Sequence, residues 1–180
     1  MRSPVLCLFA KARWRLDVPK NRHRPCPISI WRALSRCFGQ RTFAIGNMTE
    51  LSEDVAGGLM VRADAEQLYR VLSNLVRNAR QAIIGTGQPG EINVSASVGD
   101  DAWCIDVTDT GPGLPPKAKE YLFQPFQGGA RKGGTGLGLA IAEELVRGHG
   151  GTLKLVRSDE TGTSFRIRLP MGDVTGIGKS

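Results

Sequence analysis

Seven apolar residues, Leu68, Val71, Leu72, Leu75, Val76, Ala79 and Ile83, fall at helical spacing and predict one amphipathic helix with a single buried stripe. Asp64, with Gln67 three residues on, predicts a capping box at its start, after a short apolar run at 59–61. Gly85-Thr86-Gly87-Gln88-Pro89-Gly90 ends it near Ile84. The period then changes to two: Ile92, Val94, Ala96 and Val98 share one face of a strand over 91–98. Gly99-Asp100-Asp101 turns the chain into a second strand over 103–107, which completes a hairpin. A Gly- and Pro-rich stretch over 109–134 follows, broken by a short helix around 117–122. An irregular segment of that length in a small domain points to function. A second long helix is predicted over 135–148. Two strands over 152–156 and 163–169 follow, joined by Ser158-Asp159-Glu160-Thr161-Gly162 and closed by Pro170. This order predicts an α/β fold, a two-layer sandwich with helices on one face of a mixed, mainly antiparallel sheet.

The ends are less regular. Residues 1–46 are rich in Arg, Pro, Cys and Trp and show no sustained period, apart from a possible short helix over 30–38. A basic tail, a remnant of a partner domain and residues from a misassigned start or frame all fit; two Trp and three Cys favour the last two. Residues 47–171 form the domain, and 172–180 read as a tail.

The 180 residues carry a net charge of +7, with 24 basic and 17 acidic residues. Ten of the basic residues and one acid, Asp17, precede Phe43. The remainder therefore holds 24 − 10 = 14 bases against 17 − 1 = 16 acids. Basicity is local to the first segment, and its tryptophans, Trp14 and Trp31, make no stacking pattern with the arginines, so no nucleic-acid partner is expected. Cys7, Cys26, Cys37 and Cys104 have neither CxxC spacing nor paired histidines, which opposes a zinc site or a disulfide framework and fits a reducing cytoplasm. The apolar run at 5–10 is far short of the roughly 20 residues that span a bilayer.

Four constellations carry candidate chemistry. Asn74 and Asn78 project together from the first helix, with Gln81 one turn on, although each interior Asn costs roughly 0.6 kcal/mol against Ala. An amide oxygen is a hard neutral ligand for Mg²⁺, which takes its other ligands from nucleotide phosphates and water. Asp109-Thr110-Gly111-Pro112-Gly113 follows a strand; its carboxylate can accept from an exocyclic amine while two glycines let backbone approach a planar ring. An aspartic protease would need a second such site. Phe123-Gln124-Pro125-Phe126 leads into a basic stretch with Arg131 and Lys132, which suits a lid. Gly133-Gly134-Thr135-Gly136-Leu137-Gly138-Leu139 opens the second helix, where free backbone N–H groups can cradle phosphate. Its glycine spacing is not the dinucleotide fingerprint, and Gly178-Lys179-Ser180 is no P-loop, since Asp173 stands where its first Gly must be.

In this order the four resemble the N, G1, F and G2 boxes of the GHKL (Bergerat-fold) ATPases, most closely the catalytic ATP-binding domain of sensor histidine kinases. Gly148-His149-Gly150-Gly151 and Gly162-Thr163-Ser164-Phe165 extend the resemblance from about residue 50 to 170. The resemblance implies ATP and Mg²⁺ as cofactors, with Asn78 on the metal and Asn74 and Gln81 beside it. It implies Asp109 on the adenine amine, with Gly111 and Gly113 shaping the base pocket and Thr163 supporting it through water. It places Gly134, Thr135, Gly136, Leu137 and Gly138 around the phosphates, Phe126 beside the nucleotide, and Arg131 and Lys132 of the lid on the outer phosphates. Gln81 stands where many members have Lys, and His149 resembles a structural turn histidine rather than an acceptor.

The resemblance also implies transfer of the ATP γ-phosphoryl group to a histidine on a dimerisation domain in trans, with a downstream response regulator as partner. Gyrase-like hydrolases and anti-sigma serine kinases place Glu where this chain has Asn74. A neutral imidazole needs no such base, so Asn74 favours a histidine kinase. His23, followed by Arg24 and Pro25, does not match the acceptor motif. Two alternatives are a nucleotide-binding interaction module without phosphotransfer and, more weakly, an anti-sigma-like serine kinase.

Overall fold

The computed structural model describes residues 26–27, 43–44, 49–55, 60–61, 63–125 and 136–171. Its strands are β1 (Cys26–Pro27), β2 (Phe43–Ala44), β3 (Thr49–Val55), β4 (Met60–Val61), β5 (Gly90–Val98), β6 (Ala102–Asp109), β7 (Thr152–Asp159) and β8 (Gly162–Pro170). Its helices are α1 (Ala65–Ile84), α2 (Pro116–Glu120) and α3 (Gly138–Gly148). Six strands form one sheet in the order β2-β3-β5-β6-β8-β7. β1 and β4 make a separate two-residue pair. All neighbours in the large sheet are antiparallel except β3 and β5, so it is mixed and mainly antiparallel as expected.

The two faces of the sheet have opposite chemistry, and this decides where the helices go. Ile92 and Val94 of β5, Ile105 and Val107 of β6, and Phe165, Ile167 and Leu169 of β8 point into the core. There they meet Leu68, Val71, Leu72, Leu75, Val76, Ala79 and Ile83 of α1, the predicted stripe, together with Ala142 and Val146 of α3. Burying each large side chain contributes about 1.5–3 kcal/mol. The other face carries cross-strand polar pairs. Arg166 donates to both carboxylate oxygens of Asp106 at 2.7 and 3.0 Å, the Thr108 and Ser164 hydroxyls lie 3.0 Å apart, and Asn93 donates to Ser52 at 2.9 Å. Such a face remains in water, so both long helices pack on one side.

The predicted hairpin is β5–β6, turned where the Gly99 amide donates to the Ala102 carbonyl at 2.8 Å. The strand β6 runs on to include Asp109 itself. The pattern of hydrophobic positions did not announce β3. Its sequence, Thr49-Glu50-Leu51-Ser52-Glu53-Asp54-Val55, is too acidic to read as a strand, and its parallel partner β5 begins 41 residues after Thr49. α1 supplies the crossover that a parallel pair requires.

The capping box forms by half. Asp64 accepts from the Gln67 amide at 2.9 Å, but Gln67 does not return the bond to the Asp64 amide. That amide donates instead to Nε2 of His149, 3.0 Å away, while Nδ1 of the same ring lies 2.7 Å from the Leu145 carbonyl. An N–H donor facing Nε2 and a carbonyl facing Nδ1 fix the proton on Nδ1. His149 therefore ties the start of α1 to the last turn of α3, which is the structural role expected of it. His149→Ala leaves both backbone groups without partners. We expect it to cost about 1–3 kcal/mol of stability, measured by urea unfolding, with nucleotide affinity of the folded fraction preserved.

Candidate active site

Two groups of predicted site residues lie against α1: Asp109 and Gly111 near Ala82, and Gly138 near Asn74. Asp109 ends β6 with only 5% of its surface exposed, and Thr163, its register partner at the start of β8, is buried at 3%. The Gly111 amide donates to Asp109 Oδ1 at 2.8 Å, which bends the chain back over its own carboxylate. A side chain on Gly111 would strike that same oxygen at 2.8 Å and the Ala82 methyl of α1 at 3.1 Å, so glycine is required there. Burial raises the Asp109 pKa above the usual carboxylate range. The amides of Gly111 and Thr163 and the charge of Arg157 pull the other way. A buried carboxylate with lone pairs to spare is chemically suited to the amine edge of a purine.

The end of β7 packs against the loop that follows Asp109. Gly113 has a φ of +72°, and an added Cβ would collide with the Asp159 carbonyl. The Leu114 amide donates to Ser158 Oγ at 2.7 Å, and Lys119 Nζ donates to the Ser158 carbonyl at 2.7 Å. The sequence placed Ser158 in a connecting turn; β7 instead runs on to Asp159, and its pairing with β8 carries Ser158 to the G1 loop. The only available signal was its polar, glycine-bounded composition.

Asn74, Asn78 and Gln81 follow one another along α1, all half-buried. Asn74 Oδ1 accepts from Arg77 Nη2 at 2.8 Å, and the Asn78 amide makes no hydrogen bond among the described residues. Gly138 begins α3 directly opposite: its missing side chain would lie 3.3 Å from Arg77 Nη2 and 3.6 Å from Asn74 Oδ1. Gly136, with a φ of +68°, and Leu137 lead into this helix, which starts with no side-chain cap and no acidic residue in its first turn. Its first N–H groups are thus left for a ligand. Leu122 and Phe123 pack against the core. Phe126, Arg131, Lys132, Gly134 and Thr135, like the predicted short helix over 30–38 and the tail, lie outside the described residues.

The fit to Mg²⁺ and ATP follows from the donor set. Among the described residues no group of three or more His, Cys, Asp or Glu side chains can hold a metal. The Asn78 amide, which makes no hydrogen bond among the described residues, is chemically suited to a metal that takes most of its ligands from phosphate and water.

Sequence comparison agrees with this geometry. The family described as histidine kinase-, DNA gyrase B- and HSP90-like ATPase matches residues 63–173, more than half of the chain. The chain belongs to this ATPase family. It is 39% identical over 111 residues to the sensor histidine kinase ZraS of Escherichia coli K12, a match that covers 62% of this chain and 23% of that protein. The C4-dicarboxylate transport sensor protein DctB of Rhizobium meliloti is 38% identical over 112 residues, 62% of this chain and 18% of that protein. The chain thus spans about a quarter or less of these relatives. Among solved structures, the catalytic domain of histidine kinase ThkA aligns with a TM-score of 0.68 and 28% identity, covering 82% of this chain and 97% of that one. Full-length ShkA in complex with AMPPNP aligns with a TM-score of 0.67 and 27% identity, covering 82% and 31%. The fold is accordingly that of histidine kinase catalytic domains, and the GHKL ATPase uses ATP. No described helix is long and apolar enough to cross a membrane.

Proposed function

We propose that this GHKL domain is the ATP-binding catalytic part of a two-component sensor histidine kinase, working at the cytoplasmic side where ATP is supplied. Its substrate is a histidine on a separate dimerisation domain, and a response regulator lies downstream. The observation that carries the reading is the presence on one domain of a buried carboxylate, Asp109, and an uncapped α3 start that Asn74 approaches from α1.

On this reading Asp109 accepts from the adenine amine, Gly111 and Gly113 keep the base plane open, and Thr163 supports the carboxylate. The start of α3, from Gly136 to Gly138, receives the phosphates, and the lid residues Arg131 and Lys132 close over them. Asn78 holds the metal through its amide oxygen, and Mg²⁺ when bound neutralises phosphate charge. The acceptor imidazole uses its free nitrogen lone pair to attack phosphorus, so Asn74, a neutral residue, is sufficient where a water-activating enzyme would need a carboxylate. A nitrogen–phosphorus bond forms, the bond from the γ-phosphorus to the bridging oxygen breaks, and its electron pair leaves on ADP.

The test mixes the chain with γ-labelled ATP and a purified dimerisation domain from a related sensor kinase. Acid-labile, base-stable label on that domain is the expected result. With Asn78→Ala it falls by about 10²–10³-fold, the usual loss when one preorganised charge-stabilising group is removed. Nucleotide binding without label on any such acceptor would overturn phosphotransfer and favour the interaction-module reading.

A further inference from the structure

Asn74, Arg77, Asn78 and Gln81 lie on one side of α1, and Arg77 is the only cation among them. Its guanidinium, although exposed, bends toward α3: Asn74 Oδ1 accepts from Nη2 at 2.8 Å, and a Cβ on Gly138 would lie 3.3 Å from the same nitrogen. This placement is electrostatically unfavourable in the free chain. The start of α3 is the positive end of a helix dipole, its first turn contains no acid, and a cation beside it is repelled. None of the ion pairs among the described residues includes Arg77, and the Asn74 oxygen holds the guanidinium without neutralising it. Two positive centres are brought together with no anion of the described chain between them.

We propose that the missing anion is nucleotide phosphate, and that Arg77 is a phosphate-binding residue of the active site. This assignment rests on the proposed ATP site and adds to it a cation from the rigid helix rather than from the lid. Only one N–H of the guanidinium is committed to Asn74, so the rest of the donor fork remains for phosphoryl oxygens. Asn74 then acts through Arg77 as a positioning residue. Gln81, one turn further along, is neutral and cannot replace that charge. A side chain on Gly138 would press on the same guanidinium.

The experiment measures binding of ATP, ADP and adenosine to the full chain by calorimetry, for wild type, Arg77→Gln and Arg77→Lys, with melting temperatures alongside. Arg77→Gln is expected to weaken ATP by roughly tenfold or more and ADP by less, while adenosine stays within about twofold. Arg77→Lys should recover part of the ATP loss, and neither variant should melt lower, since Arg77 is exposed. An unchanged ATP affinity, an equal loss for all three ligands, or a lowered melting temperature for Arg77→Gln would overturn the assignment. A wild-type chain that binds adenosine but gains nothing from phosphates would also overturn it, whereas one that binds none of the three overturns the proposed ATP site itself.

Discussion

Asp109→Asn should abolish useful ATP binding while leaving the domain folded and, near neutral pH, more stable. The carboxylate offers only lone pairs, and Gly111 already occupies one oxygen with its amide at 2.8 Å. An asparagine that keeps this bond must turn its NH₂ toward the remaining donors, so donor faces donor at the place proposed for the adenine amine. A lost hydrogen bond to a charged group, with its partner left unsatisfied, amounts to about 2.7 kcal/mol, or roughly 100-fold in dissociation constant. Calorimetry on the full chain measures it.

The stability effect follows from the direction of the Asp109 pKa. Burial, the largest influence, raises it in the folded chain. A raised carboxylate pKa means that the folded state holds the proton more tightly than the unfolded one. The stability this adds is complete below the unfolded pKa and is lost as pH rises through the folded pKa. Wild type therefore loses this contribution on going from acid to neutral pH, and Asp109→Asn does not. The melting temperature of the variant should rise relative to wild type across that window. ATP affinity of wild type should fall on acidification at a pH above the ordinary carboxylate range, because the bound amine needs the ionised acceptor. A constant difference in melting temperature across pH would contradict the buried-charge account.

The largest loss of stability is expected from Gly162→Ala. Gly162 has a φ of +137°, which side chains rarely adopt, and its added Cβ would fall on the Asp109 carbonyl oxygen. Neither side can yield cheaply, since Asp109 pairs with Thr163 in the β6–β8 ladder and Gly162 pairs with Asp159 of β7. Backbone strain and collision together should cost about 3 kcal/mol or more, equivalent to roughly a 10 °C drop in melting temperature. Because the collision pushes on Asp109, the folded fraction should also bind ATP more weakly. Gly87→Ala is the matched comparison, with a φ of +70° but nothing within 4 Å of the new methyl. It carries the strain alone and should cost only about 1 kcal/mol. Equal effects at the two positions would show that collision contributes nothing.

Much of this protein was legible locally. The stripe of α1 is stated by seven residues within sixteen positions, and every one of them is buried. The alignment of Asn74 with Asn78 follows from helix geometry alone, and the alternation of β5 gave its core face through Ile92 and Val94. The glycine-rich motifs announced their order along the chain, because glycine spacing encodes backbone demands that arise within a few residues.

The remainder depended on partners distant along the chain. β3 is polar enough to pass for a loop until β5 supplies its hydrogen bonds. His149 displaced Gln67 from the expected capping box, a contact between residues 85 apart that no periodicity can express. The end of β7 met the G1 loop only when the sheet brought Ser158 to Leu114. Sequence by itself determined which faces are apolar and which residues carry chemistry, since these are properties of side chains at fixed local spacing. Tertiary structure decided which of those faces and residues meet. The meeting of Arg77 with Gly138 depends on packing between elements more than fifty residues apart.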